Sequence, residues 1–301
     1  MRDDFAAFIL THGRPNSVHT YKSLRSSGYT GRIFLVVDDE DKTVDEYREL
    51  YGDEVLQFSK AEIEKTFDTG DNFKDKRGVI VYARNACFGL ARKVGVRYFI
   101  QLDDDYCSWF YRYDRDMNYG SFRIKKTMDL LFESIVDFLS STTAKTICLS
   151  QGGDHIGGRK KSIGLKRKAM NTFVCDVERP FKFMGRINED VNTYTLEGLR
   201  GNIFLTVMNA QVNQLLSQSN EAGMTGVYLD GGTYLKTFYS VLYSPSCVKV
   251  DTLAGNYTPH RRIHHRVNWN AATPKILREE HRKASREHSA IESEPVGVAN
   301  G

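Results

Sequence analysis

The stretch that most constrains the fold is an apolar run, Tyr98-Phe99-Ile100-Gln101-Leu102, that stops abruptly at three carboxylates, Asp103-Asp104-Asp105. Such a run reads as a buried strand, and acids just past its C-terminal end fall on the edge where open α/β sheets place their ligands. Three adjacent carboxylates repel one another. Hard Mg2+ or Mn2+, which keep waters and share phosphate oxygens, would relieve that repulsion. The bland alternative is an acidic turn facing water, and the flanking sequence argues against it.

Upstream, Phe5 to Leu10 reads as a first strand and Ser17 to Ser27 as a helix that ends at Gly28. Arg32 to Val37 reads as the next strand, with Asp38-Asp39 at its ligand-facing end. Val44 to Tyr51 then reads as a helix, Glu54 to Ser59 as a strand and Thr69 to Arg77 as a polar surface loop. Gly78 to Arg92 has small and apolar residues at helical spacing, so it reads as a helix feeding the Asp-rich strand. Arg84 and Asn85 sit together on it. The planar fork of Arg84 suits a pyrophosphate or a carboxylate, and Asn85 suits a base or ribose edge; a surface arginine and a mid-helix asparagine are the plain alternatives. Alternating strands and helices imply a mainly parallel sheet with right-handed crossovers.

Beyond the acids, Trp109 to Tyr113 and Tyr119 to Phe122 read as a strand pair, Met128 to Leu139 as a core helix and Thr146 to Ser150 as a short strand. From Gln151 the texture changes to paired glycines and a basic tract. Asp230 to Tyr243 reads as a late helix and Cys247 to Thr252 as a late strand.

This order of elements resembles the nucleotide-sugar half of GT-A glycosyltransferases. With Phe8-Ile9-Leu10-Thr11-His12-Gly13-Arg14-Pro15 at the start, Asn188-Glu189-Asp190-Val191 later and a His-rich C-terminal segment, the chain resembles the TET-associated glycosyltransferases of phages, relatives of the base J glucosyltransferase. The resemblance covers most of the chain to about Arg278. It implies a GT-A-like, Rossmann-type α/β fold with a mixed, mainly parallel sheet flanked by helices. Residues 1–150 would form the donor half, 151–278 the acceptor half of the same fused domain, and 279–301 a charged, partly disordered tail.

The implied reaction moves a sugar from a nucleotide-diphosphate donor, a UDP-sugar, to the hydroxyl of 5-hydroxymethylpyrimidine (hydroxymethylcytosine) in DNA, with Mn2+ or Mg2+ as cofactor. Such chemistry needs leaving-group charge neutralised and an acceptor hydroxyl deprotonated. The resemblance assigns Asp105, and with it Asp103, to the metal, while Asp103 and Asp104 also face the donor. It brings Asp38 and Asp39 to the donor base or ribose, against the reading of a capped turn, and Thr11, His12 and Arg14 of the first loop to the donor pocket, with Arg84 and Asn85. Asp190 takes the role of base, Glu189 positions the acceptor, and an inverting outcome follows. The position of both acids at a helix start has a plainer explanation in the helix dipole.

His260, His264 and His265 lie in a Pro259 to Arg266 segment, where a neutral imidazole, foremost that of His260, would complete the metal shell. A two-histidine zinc face is disfavoured, because no acid lies between His260 and His264. Arg159-Lys160-Lys161 and Lys166-Arg167-Lys168 form a basic tract that would hold a DNA phosphate backbone; a solvated loop is its ordinary explanation. If a base in duplex DNA is the acceptor, it must leave the stack.

At 301 residues and 41% hydrophobic content the chain can bury a sizeable core. A net charge of only +4 does not by itself announce a nucleic-acid binder. Five dispersed cysteines without Cys-x-x-Cys spacing argue against zinc and against a secreted disulfide framework. Phe5 to Leu10 is too short for a signal peptide or a membrane span, so the expected setting is cytoplasmic, in a host cell if the chain is phage-encoded. The rival readings are a GT-A enzyme acting on a glycan, lipid or protein, a catalytically inactive nucleic-acid-binding module, and a nucleotidyltransferase. The last would carry a Gly-rich phosphate loop after the first strand, which Thr11-His12-Gly13-Arg14-Pro15 is not.

Overall fold

A computed structural model describes residues 1–71, 78–155, 158, 166–215, 225–254 and 261–276. Its first strand, β1 (Phe5–Leu10), is buried along its whole length. Phe5, Ala7 and Ile9 enter one hydrophobic cluster and Ala6, Phe8 and Leu10 the other. That is why the strand reads as an unbroken apolar run rather than an alternating one. Around it lie β2 (Arg32–Asp38), β3 (Val55–Phe58) and β4 (Tyr98–Asp103), all parallel, in the spatial order β3-β2-β1-β4.

Five further strands extend this sheet to nine: β5 (Tyr106–Tyr113), β6 (Tyr119–Arg123), β7 (Ala144–Gln151), β8 (Phe173–Asp176) and β9 (Ile203–Gln214). The full order is β3-β2-β1-β4-β8-β7-β9-β5-β6. Following the pairings outward from β1, seven of the nine strands run one way and only β8 and β5 run against them. The sheet is therefore mixed and mostly parallel. It also crosses the chain-order division at 150/151, because β8 and β9 are threaded among β4, β7 and β5.

Helices α1 (His19–Ser26), α2 (Val44–Tyr51), α3 (Lys60–Glu64), α4 (Val81–Lys93), α5 (Met128–Ser141) and α6 (Glu189–Leu199) join the strands. Residues of α1 and α5 pack with one cluster, those of α4 and α6 with the other. A 3-10 turn at Pro15–Ser17 delays α1 to His19, two residues past the start the sequence suggests. The helix stop at Gly28 is strict. Its φ is +90°, and an added Cβ would lie 2.6 Å from the Lys126 backbone.

A C-terminal layer follows, with α7 (Thr225–Tyr243), the antiparallel pair β10 (Val248–Ala254) and β11 (Arg261–Val267), and α8 (Trp269–Ala272). Helix α7 begins five residues before the expected Asp230. His264 and His265 are successive residues of β11, and their rings meet with centroids 4.2 Å apart. No helix among the described residues is long and apolar enough to cross a membrane.

Candidate active site

The acids Asp103, Asp104 and Asp105 close β4 and turn directly into β5. Helix α1 holds the turn: Thr20 donates its hydroxyl to the Asp103 carbonyl (2.5 Å), accepts from the Tyr106 amide (2.9 Å), and gives its own amide to the Asp104 carbonyl (3.1 Å). The three side chains then meet three different environments.

Asp104 is buried and fully engaged. One oxygen accepts from the Thr11 hydroxyl (2.7 Å), the other from the Arg14 guanidinium (2.9 Å). Thr11 in turn meets the Tyr47 hydroxyl at 2.7 Å, and that hydroxyl accepts the Arg14 amide. The carboxylate thus clasps the loop after β1 to the edge of β4. The donor role expected of Thr11, Arg14 and Asp104 becomes, in their side-chain contacts, a role in shaping the loop.

Asp103 turns inward to Arg84, whose Nη2 donates to it at 3.0 Å while Nε donates to Glu189, also at 3.0 Å. The guanidinium is 1% exposed and lies over the rings of Phe173 and Phe183. Arg84 is thus the counter-ion of two acids inside the protein, and its Nη1 is buried without a hydrogen-bond partner. Burial pulls its pKa down, but Asp103 and Glu189 more than offset that and keep it charged. Asn85 is likewise committed. It brackets Phe183, donating to its carbonyl (3.0 Å) and accepting its amide (2.9 Å), in place of a base or ribose edge.

Asp105 is the acid left over. Its Oδ1 is buried without a hydrogen-bond partner. Burial, then the neighbouring charges of Asp103 and Asp104, push its pKa up to about 7.

The Phe183 bracket starts the loop that delivers the second pair of acids. Met184 donates its amide to Thr193, and Asn192 donates to the carbonyls of Met184 and Ile187 at 3.0 Å each. Gly185 has φ +80°, and a Cβ there would strike Asn192 and Tyr243. Asn188 then caps α6 in the left-handed region, at φ 61°, where asparagine is among the few side chains tolerated. Glu189 and Asp190 open the helix, both buried, with the Asp190 Oδ1 accepting the Val191 amide (2.7 Å). Burial first, then Asp190, raises Glu189 to about 7 despite its bond to Arg84.

The C-terminal layer reaches this site through Asn188, whose amide nitrogen contacts Ser240 of α7 and lies 3.4 Å from Nδ1 of His265. Burial, then the neighbouring charges of His264, Lys236 and Lys168, lower His265 to about 3, so it is neutral. His260 lies outside the described residues. Among the described residues no group of three or more His, Cys, Asp or Glu side chains is set to hold a metal ion.

At the end of β2, Asp38 accepts from Lys60 (2.9 Å) and pairs with Nδ1 of His12 (2.7 Å). The bond to Asp38 raises His12; for Asp38 itself, burial pushes up but His12 and Lys60 win and lower it. Asp39 is exposed and accepts the Lys60 amide. The basic tract divides. Arg159, Lys160 and Lys161 lie outside the described residues, whereas Arg167 donates to the Asp154 carbonyl (2.6 Å), Lys168 lies 3.9 Å from the Asp154 carboxylate and Lys166 bonds Asn270. Arg167 and Lys168 are thus tied to Asp154, while Lys166 stays exposed. Sequence reading missed Thr20, Tyr47 and Lys60, since no local motif marks a residue whose partner lies on another element.

The sequence model of the TET-Associated Glycosyltransferase family matches residues 5–223. No curated protein matches the chain. Solved structures similar to it include glucosyl-3-phosphoglycerate synthase from Mycobacterium tuberculosis in complex with Mn2+, uridine diphosphate and phosphoglyceric acid. Identity is 10% and the TM-score 0.44, over 87% of this chain and 86% of that one. Another is mannosyltransferase PcManGT from Pyrobaculum calidifontis in complex with GDP-Man and Mn2+, at 11% identity and a TM-score of 0.43, over 81% of this chain and 73% of that one.

Proposed function

The chain belongs to the TET-associated glycosyltransferase family, and from that premise we propose that it transfers a sugar from a nucleotide-diphosphate donor, a UDP-sugar, to the hydroxyl of a 5-hydroxymethylpyrimidine in DNA, with inversion and with a divalent cation at Asp105. The observation that carries the reading is the unpartnered, buried oxygen of Asp105, two residues on from the Asp103 that Arg84 ties to Glu189 at the start of α6. A hard cation that keeps most of its waters and takes one or two carboxylates plus phosphate oxygens suits such a site better than a closed protein cage does. Asp105 would hold it. Asp103 gives one oxygen to Arg84, which leaves Asp105 as the first ligand.

When bound, the cation supplies positive charge to the departing diphosphate. The protein's own groups do the rest. Asp104, Thr11 and Arg14 hold the loop after β1 against the cation edge, so the donor meets a fixed wall. Arg84 sets the distance between the donor acids and α6. Asp190 takes the proton of the attacking hydroxyl, and Glu189, anchored by Arg84, orients that hydroxyl.

A panel of nucleotide sugars offered with hydroxymethylated DNA, unmodified DNA and glycans, read by nucleoside mass, tests the reaction. New mass on hydroxymethylpyrimidine is the expected result, and transfer to glycans alone removes the DNA acceptor.

The raised Asp105 pKa gives a separate test of the metal. From about pH 4 to pH 7 the folded, metal-free protein holds a proton that the unfolded chain has released, so stability falls as pH rises through that window. A cation replaces the proton only above it. Mn2+ should therefore raise Tm at pH 8 and barely at pH 5.5, and Asp105→Asn should abolish the shift. An equal shift in the variant would place the cation elsewhere.

A further inference from the structure

Beyond the catalytic edge, one sheet face opens at its β5–β6 end. Register places Ser150 of β7, Gln211 of β9, Phe110 of β5 and Arg123 of β6 in one rung across four strands. Asn213 and Ser108 form the neighbouring rung on the same face. Paired residues share a face, and the next ones along point away. Those next ones, Trp109, Val212 and Ala210, are buried in the core. On the other side Ser150 and Gln211 are buried, Ser108, Phe110 and Asn213 are half-buried and Arg123 is exposed, so the face opens toward β5 and β6.

The open face is organised. Arg112, two residues on from Phe110, donates to Gln211 at 3.2 Å, and Gln211 passes its amide on to Asn213. The guanidinium of Arg112 lies 4.7 Å over the Tyr119 ring, and its Nε is buried without a partner. No carboxylate belongs to either rung, while Lys125 and Lys126 continue the chain past Arg123 and are exposed. The face abuts the site directly: Cys107 bonds the Asn213 carbonyl and Leu215 donates to the Asp105 carbonyl.

We propose that this β9–β5–β6 face seats the DNA strand on either side of the acceptor nucleotide, with Phe110 stacking on a neighbouring base and Arg123 pairing with a phosphate. The inference rests on the DNA reading above and names its binding surface. Flat aromatic, amide and guanidinium groups in one row are the set that a single strand engages. Four residues of strand carry Phe110 about 13 Å from Tyr106, beyond the reacting nucleotide and within reach of its neighbours. Tract residues Arg167 and Lys168 lie 3.6 and 3.9 Å from the Asp154 carboxylate, whereas Arg123 is exposed on the open face.

The test uses the full chain and a hydroxymethylated oligonucleotide. Phe110→Ala should raise the KM for DNA on the order of tenfold, and Phe110→Trp should restore it, since stacking and not a particular ring is required. Arg123→Gln should flatten the salt dependence of DNA binding by about one phosphate contact. The kcat at saturating DNA and the KM for the donor should stay within about twofold. If the enzyme glycosylates the oligonucleotide and both variants keep the wild-type KM and salt slope, the face is not the seat. If wild-type protein transfers to another acceptor and never to DNA, this proposal and the DNA reading fall together.

Discussion

Replacing Asp190 with Asn is expected to slow the chemical step by about two to four orders of magnitude while leaving the donor Kd nearly unchanged. The amide keeps the shape of the side chain and its bond from the Val191 amide, so α6 should start as before. What it loses is the capacity to take a proton from the acceptor hydroxyl. Glu189→Gln gives the contrast. Its carboxylate is held by Arg84 at 3.0 Å, so its loss should be felt more in stability and acceptor KM than in the chemical step. Pre-steady-state transfer with both variants distinguishes the two acids. Near-normal transfer by Asp190→Asn with normal donor affinity would move the base to Glu189.

Arg84→Met should cost about 3 kcal/mol of folding stability at pH 8, because it leaves the buried Glu189 and the half-buried Asp103 without the cation they share. The methionine fills most of the volume between Phe173 and Phe183, so packing contributes little of that loss. Charge contributes the rest, and charge can be titrated. Both acids already have raised pKa values, burial being the largest cause, and without Arg84 they rise further. They then bind protons as pH falls, so the penalty should shrink toward pH 5. Urea unfolding of both proteins across that range reads the effect directly. A double variant with Glu189→Gln should recover part of the loss. A cost below about 1 kcal/mol, or one that does not change with pH, would mean that the ion pairs are not what holds the site together.

The family and the half of the fold around β1 and β4 were legible in the chain because both follow from local patterns. An apolar run that ends in acids marks a strand and the edge it faces, and Gly28 marks a helix end that only glycine can make beside Lys126. Glu189-Asp190 read correctly as a helix start for the same reason. By contrast, Arg261-Arg262-Ile263-His264-His265-Arg266-Val267 has neither a helical nor an alternating pattern, and its form is settled by pairing with β10.

The sequence by itself determined which chemistry the protein brings: a strand of acids, a second pair of acids at a helix start, and the family to which both belong. Tertiary structure alone decided what each acid does. Arg84 and Glu189 are 105 residues apart in the chain, yet their contact makes Arg84 an internal counter-ion. Asp104 holds the loop after β1, Asp103 bonds Arg84, and Asp105 keeps one buried oxygen without a partner. Three identical side chains in a row acquire three roles because burial and partners are set by elements that fold onto the turn from elsewhere, and no property of the tripeptide encodes them.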